Sequence, residues 1–329
     1  MSTNSEFIPP RLLRGRYTQT ILASAKIRTT GKNPMKEASR EMIIDAGGGV
    51  RLQGFFSQQV KKDPVGLVIL LHGWEGSAES TYMLHSGRHF YDQGYAVFRL
   101  NFRDHGDTHH LNEGLFYAIL LGEVFTAVDI ASRLPGGSRT FLMGFSLGGN
   151  FALRIGRRCN ENPIENLCRI FAVSPVVDPS KATDAIDHSL LLRWYFLKKW
   201  RRSLALKQKL YPHLYDFHDM MRLDTIRGLT DALLKKYSAF DDTEEYFRGY
   251  AITGEALKPL NVITTIVAAR DDPAIPVEDF SRLSLGPQGR LFIHDFGGHN
   301  GFLDGVFKPT WYEKKACEIF SGASCATQV

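Results

Sequence analysis

The segment Gly144-Phe145-Ser146-Leu147-Gly148-Gly149 sets one serine among small residues. It follows a short apolar run, residues 140–143, and precedes a helix-like stretch, so Ser146 stands on a sharp strand-to-helix turn. Such a turn lifts the hydroxyl clear of its strand and aims the helix N-terminus and the Leu147 N–H at the same point. That is the geometry a serine nucleophile needs. A nucleophilic serine also needs a base. His299 lies in Gly297-Gly298-His299-Asn300-Gly301-Phe302, directly after the last apolar run. An imidazole there can take the serine proton and return it to a leaving group. The base in turn needs an orienting carboxylate. Asp271 and Asp272, in Arg270-Asp271-Asp272-Pro273, both follow an apolar run at 262–268 and both qualify. Leu71-His72-Gly73-Trp74 follows the run 66–71, and a tetrahedral oxyanion would need a second donor beside Leu147. His72 itself reads as a residue that positions this loop.

These residues must be held by rigid elements. Short apolar runs recur at 66–71, 95–100, 140–143, 170–174, 262–268 and 291–294, as buried parallel strands should. Residues 41–46 and 50–56 flank Gly47-Gly48-Gly49 and read as a hairpin. Helix-like segments alternate with the strands at 80–93, 116–133, 147–158, 278–283 and 310–320. The alternation implies an α/β fold, a mostly parallel central sheet with helices on both faces. Residues 178–259 break the rhythm with helices alone and read as a helical cap or lid. The expected organisation is an N-terminal arm at 1–40, a core at 41–177 and 260–329, and the cap at 178–259.

The cap carries a basic run, Arg193, Lys198, Lys199, Arg201, Arg202, Lys207 and Lys209, interleaved with Trp194, Tyr195, Phe196 and Trp200. It reads as a cap helix with an apolar face on the pocket. The same composition suits peripheral contact with an anionic membrane. Trp194, Tyr195 and Phe145 are the candidate pocket residues, with Tyr211, Tyr215 and Phe217 adding to an aromatic-rich cap. His105, Asp107, His109 and His110 cluster without a recognised metal-ligand spacing and read as a loop near the site. No metal or organic cofactor is expected. The net charge of +5 over 329 residues, without a nucleic-acid-binding motif, argues against a nucleic-acid partner. Cys159, Cys168, Cys317 and Cys325 are too scattered for a disulfide framework and are expected to be reduced thiols. No signal-like apolar core and no membrane-length run is visible, so a cytoplasmic location is expected, at most peripheral to a membrane.

The chain resembles the YheT-like branch of the α/β-hydrolases, a group of predicted esterases with membrane-anchored eukaryotic relatives. The resemblance rests on Phe7-Ile8-Pro9-Pro10 through Gln19-Thr20-Ile21, on Asn101-Phe102-Arg103, on Gly144 to Asn150, on Asp272-Pro273 and on His299. It departs at Asp104-His105-Gly106-Asp107 and around Arg16-Tyr17-Thr18. The resemblance implies the α/β-hydrolase fold and the chain order Ser146, Asp272, His299 for nucleophile, acid and base. It favours Asp272 over Asp271, because Asp272 opens an Asp-Pro-x-x-Pro segment. It also implies that the Trp74 N–H pairs with that of Leu147 as the oxyanion hole. The reaction implied is carboxylic-ester hydrolysis, on apolar acyl, aryl or lipid esters. Thioesterase, lipase or acyltransferase chemistry could use the same residues, and His299-x-x-x-x-Asp304 matches a pattern found in some acyltransferases. A non-catalytic binding protein of the same fold is the competing class, and it gives no reason to retain Ser146, Asp272 and His299 together.

Overall fold

In a computed structural model that describes residues 7–60 and 62–323, the chain opens with an arm carrying two short helices, α1 (Arg16–Ala23) and α2 (Pro34–Glu37). Strands β1 (Ser39–Asp45) and β2 (Arg51–Ser57) then pair antiparallel. Gly47, Gly48 and Gly49 all take positive φ between them, a backbone that residues with a Cβ rarely adopt, which is why three glycines stand at this hairpin.

The chain then alternates as its pattern predicts. The order is β3 (Leu67–Leu71), α3 (Thr81–Asp92), β4 (Ala96–Leu100), α4 (Leu121–Ser132), β5 (Thr140–Phe145), α5 (Leu147–Arg158) and β6 (Leu167–Val173). Four helices follow without a strand: α6 (Pro179–His188), α7 (Leu190–Leu210), α8 (Ile226–Tyr237) and α9 (Thr243–Arg248). Each starts where a short polar side chain accepts a free N–H of its first turn, namely Asp178, Ser189, Thr225 and Asp242. The core closes with β7 (Ile263–Ala269), α10 (Val277–Ser281), β8 (Gly289–His294) and α11 (Trp311–Ser321). Residues 116–120, expected to be helical, are not. Two of their N–H groups are taken by side chains instead, Phe116 by Asp104 and Ala118 by Tyr246.

The eight strands form one sheet in the order β1-β2-β4-β3-β5-β6-β7-β8, parallel from β4 through β8. All residues of β3, β4 and β5 are buried. Alternate side chains feed two cores. Leu67, Ile69 and Leu71 pack with Val124, Val128 and Phe151 on one face, while Val68 and Leu70 pack with Phe90 and Phe320 on the other. The chain leaves β3 for β4 on one side and leaves the adjacent β5 for β6 on the other. The loops after the carboxyl ends of β3 and β5 therefore diverge and leave a crevice, the place where sheets of this kind bind ligands.

Cys159 and Cys317 are free, but Cys168 is disulfide-bonded. This corrects the expectation that every cysteine is a reduced thiol. Sequence spacing does not show which segments a fold brings within bonding distance. Cys325 lies outside the described residues. No helix among the described residues is long and apolar enough to cross a membrane.

Candidate active site

Ser146 ends β5 and starts α5 with φ 53° and ψ −115°, a conformation that non-glycine residues adopt only when their surroundings impose it. The neighbours impose it through close approach. A Cβ on Gly144 would lie 2.1 Å from the Gly148 carbonyl oxygen, and one on Gly148 would lie 2.3 Å from that of Leu71. Neither position can carry a side chain, so the glycine spacing follows from packing. The Ser146 N–H is tied to the Val173 carbonyl at 2.9 Å, which turns the side chain out of the sheet. Ser146, Leu147, Trp74 and His299 line one partly enclosed cavity, with an empty volume of about 1120 Å³ including its open mouth. Among the described residues, no group accepts from the Trp74 or Leu147 backbone N–H.

His72 fixes the loop that carries Trp74. The ring is fully buried, its Nδ1 lies 2.7 Å from the Gly73 carbonyl, and its Nε2 accepts from the Phe102 N–H at 3.2 Å. Burial holds it well below the usual histidine range. It is therefore a neutral strut between the loops after β3 and β4.

Of the two candidate carboxylates, Asp272 is the one that meets the histidine. His299 Nδ1 lies 2.9 Å from Asp272 Oδ2 and 3.1 Å from Oδ1, with the Asp272 side chain 2% exposed. Two backbone N–H groups, of Ala274 and Ile275, also bond to Asp272 Oδ1 at 2.8 and 3.0 Å. They orient the carboxylate toward the imidazole. Asp271 points elsewhere and accepts the Gly298 N–H at 2.8 Å, so it holds the residue before His299. Burial pushes its carboxyl upward.

The sequence reading did not foresee how the histidine loop is held. Thr20 Oγ1, on α1, accepts the His299 N–H at 2.9 Å. The buried side chain of Gln19 donates to the carbonyls of Leu13 and Leu303 and accepts from the Leu303 N–H at 2.8 Å. The only sequence signal was the Gln19-Thr20 pair itself, which carried no assigned role.

Three charged residues that line the cavity, Glu75, Asp104 and Lys207, were not assigned to it from the sequence. Glu75, φ 55°, follows Trp74 and lines the cavity. Burial pushes its carboxyl up to about 8, with Asp104 adding in the same direction against Lys199. Lys199 Nζ bonds to the Glu75 carbonyl. Lys207 Nζ, on α7, pairs with Asp104 Oδ1 at 2.8 Å, both side chains almost fully buried. Burial pushes the Asp104 carboxyl up and the Lys207 ammonium down, and their contact opposes both shifts.

The predicted pocket residues require correction. Trp194 and Tyr195 are 60% and 39% exposed, and neither lines the cavity. The inner face of α7 is instead Phe196, Trp200, Ser203, Leu204 and Lys207, spaced by three and four residues as one helix face must be. Trp74 stacks on Phe196 with centroids 5.3 Å apart and meets Trp200 edge-on at 5.0 Å. Phe145 faces the opposite way, fully buried against Tyr82 and Tyr312, because it is the last strand residue before the chain turns at Ser146. Tyr211, Tyr215 and Phe217 are likewise not part of the cavity wall. Asp304 pairs with Lys314 at 2.8 Å away from the cavity, so the acyltransferase-like spacing brings no second carboxylate to the site. In the histidine-rich loop, His105 bonds to the Arg103 carbonyl and packs edge-on against Phe116, while His109 bonds to Ser203. His109 thus holds that loop against α7, while His105 packs within it.

This fold and this placement of residues define a class. A model of the alpha/beta hydrolase family matches residues 68–307, and the chain belongs to that family, as an enzyme of the α/β-hydrolase type. Within it the chain falls in the YheT-like branch. It is 23% identical to the YheT protein of Escherichia coli (strain K12), over 95% of this chain and 92% of that one. It is 20% identical to an abhydrolase domain-containing protein of Dictyostelium discoideum, over 96% and 80% of the two chains. It is also 20% identical to the mouse phospholipase ABHD3, over 84% and 69%. Among solved structures, an esterase of Pyrococcus furiosus superposes with a TM-score of 0.54 at 17% identity, covering 97% of this chain and 98% of that one.

Proposed function

We propose that this protein is a serine hydrolase of carboxylic esters, with Ser146 as nucleophile, His299 as general base and acid, and Asp272 as the residue that orients the histidine. One observation carries the reading. His299 is held by Asp272 at 2.9 Å and shares a largely apolar cavity with Ser146, which sits on a strained strand-to-helix turn. In the first half-reaction His299 Nε2 takes the Ser146 proton as Oγ attacks the ester carbonyl. The Trp74 and Leu147 N–H groups bond the oxyanion as it forms. The tetrahedral intermediate collapses, the C–O bond breaks, and the leaving alkoxide takes the proton from His299. In the second, His299 deprotonates a water that attacks the acyl-enzyme. The acid departs and Ser146 recovers its proton.

The walls set by Leu115, Phe116, Phe196 and Trp200 suit an apolar acyl or aryl group. A lipid ester fits the same description, and the name of the mouse relative, a phospholipase, supports testing one. The experiment is labelling by a fluorophosphonate probe together with turnover of a p-nitrophenyl ester series. Wild type should label and turn over short and medium acyl esters, and Ser146→Ala should lose both. Turnover by the variant at the wild-type rate would remove Ser146 from the mechanism. Failure of folded wild type to label would favour the non-catalytic class.

A further inference from the structure

Helix α7 contains seven basic residues and no acidic one between Leu190 and Leu210. Three of the basic groups are spent inward or sideways. Lys199 bonds to the Glu75 carbonyl, Arg201 to the Leu223 carbonyl at 2.6 Å, and Lys207 to Asp104. Of the other four, Arg193 is half-buried on another face of the helix, and Lys198, Arg202 and Lys209 are the exposed cations. Between them stand Leu191, Trp194, Tyr195 and Leu206, with exposures of 45, 60, 39 and 38%. At about 100° per residue these seven positions fall within a stripe about 120° wide, and the 21-residue helix is roughly 31 Å long. Lys198 Nζ lies 5.0 Å from the Trp194 ring centroid, so cation and aromatic share one patch. A surface helix normally turns a polar face to water. Here the outward face is apolar and cationic together, while the inward face of the same helix walls the cavity.

We propose that the outer face of α7 docks on an anionic lipid bilayer, with Leu191, Trp194, Tyr195 and Leu206 entering the headgroup–acyl boundary and Lys198, Arg202 and Lys209 meeting the lipid phosphates. The charge pattern selects this partner. A second copy of the chain seated symmetrically on the same face would oppose three cations to three cations, with no acidic residue on the helix to pair them. An anionic interface satisfies both the cations and the apolar residues of the stripe. Docking there lays the outer wall of the cavity on the membrane, and it holds whether or not Ser146 is the nucleophile.

The test uses the full chain with phosphatidylcholine vesicles, with and without phosphatidylglycerol. Co-sedimentation should require the anionic lipid and weaken as salt rises. Replacing Lys198, Arg202 and Lys209 by glutamine should weaken it on the order of a hundredfold, a factor of about five for each charge. Leu191→Ser with Trp194→Ser should weaken it as well. Lipids brominated in the acyl chain should quench tryptophan emission in wild type, and the quenching should drop in Trp194→Phe. Every variant should keep the wild-type thermal midpoint and its turnover of a soluble ester, which separates loss of docking from loss of fold or catalysis. Equal sedimentation with neutral and anionic vesicles, or binding undiminished in the glutamine variant, would overturn the proposal. So would dimers in gel filtration that the Leu191→Ser, Trp194→Ser variant abolishes, because they would assign the face to a second copy.

Discussion

Ser146 shows how a single residue can store strain for a site. Its φ of 53° with ψ −115° costs on the order of 1–3 kcal/mol for a residue with a Cβ. Glycine escapes that strain but loses about 0.5–1 kcal/mol through the greater freedom of its unfolded chain. Relief outweighs that loss, so Ser146→Gly should be inactive yet more stable than wild type by about 1 kcal/mol in chemical denaturation. A lower midpoint would show that the strain is not held at this residue. Glu75 makes the same point electrostatically. Its carboxyl is raised from 4.5 to about 8 by burial. Between those values the unfolded chain ionises while the folded one stays protonated. The stability is therefore whole below about pH 4.5, falls as pH rises, and is fully lost above about 8. The slope is at most about 1.4 kcal/mol per pH unit. Glutamine copies the protonated form. Glu75→Gln should thus be more stable than wild type at pH 7.5, with the gap shrinking at pH 5, and should retain activity at neutral pH. A gap independent of pH would mean that Glu75 is charged in the fold.

The elements that carry the site depend on an arm that contributes no strand to the sheet. Gln19 makes three hydrogen bonds, two of them to Leu303, while its neighbour Thr20 accepts the His299 N–H. Removing the amide leaves the buried Leu303 groups unpaired, at about 1–3 kcal/mol for each orphaned group. Gln19→Ala should therefore lower stability by about 2–4 kcal/mol and reduce kcat for a soluble ester roughly tenfold with little change in KM, because the loop that aims His299 loosens. Unchanged kcat with reduced stability would confine Gln19 to packing. This contact was not legible in the sequence, since it joins residues some 280 positions apart, whereas the elements themselves were. Parallel strands buried on both faces read as unbroken apolar runs, and the cap helices begin on Asp178, Ser189, Thr225 and Asp242, whose caps are local signals. The nucleophile turn was legible for a similar reason, because Gly144 and Gly148 stand where no Cβ fits. The choice between Asp271 and Asp272 rested on family likeness, and only backbone geometry separates the two. The phase of α7 was misread. Trp194 and Tyr195 differ from Phe196 by one or two positions, and rotation by 100° per residue decides which of them meets the cavity.

At the scale of the molecule, cap and sheet are joined through a buried charge. Lys207 Nζ bonds to Asp104 and to the carbonyls of Asn112 at 2.6 Å and Gly114 at 3.0 Å. One ammonium thus ties α7 to the loop after β4 and to the chain leading into α4. Asp104 has φ 56° and also accepts the Phe116 N–H, so the loop is shaped around this contact. Breaking one partner of a buried pair leaves an uncompensated charge and costs about 3–5 kcal/mol, more than the intact pair contributes over an apolar substitute. Lys207→Met should therefore destabilise by about that amount. Asp104→Asn should also destabilise, and the double variant should fall short of the sum of the two because the sites share one contact. Where the loss appears distinguishes two kinds of molecule. If the cap is a separately opening unit, Lys207→Met should speed proteolysis within residues 178–259 and hydrogen exchange in α7, while β3, β5 and α5 keep wild-type protection. The cavity would then be gated by this one ammonium. If sheet and cap lose protection together, the pair is part of a single cooperative core, and access to Ser146 must come through the existing mouth of the cavity instead of through movement of α7.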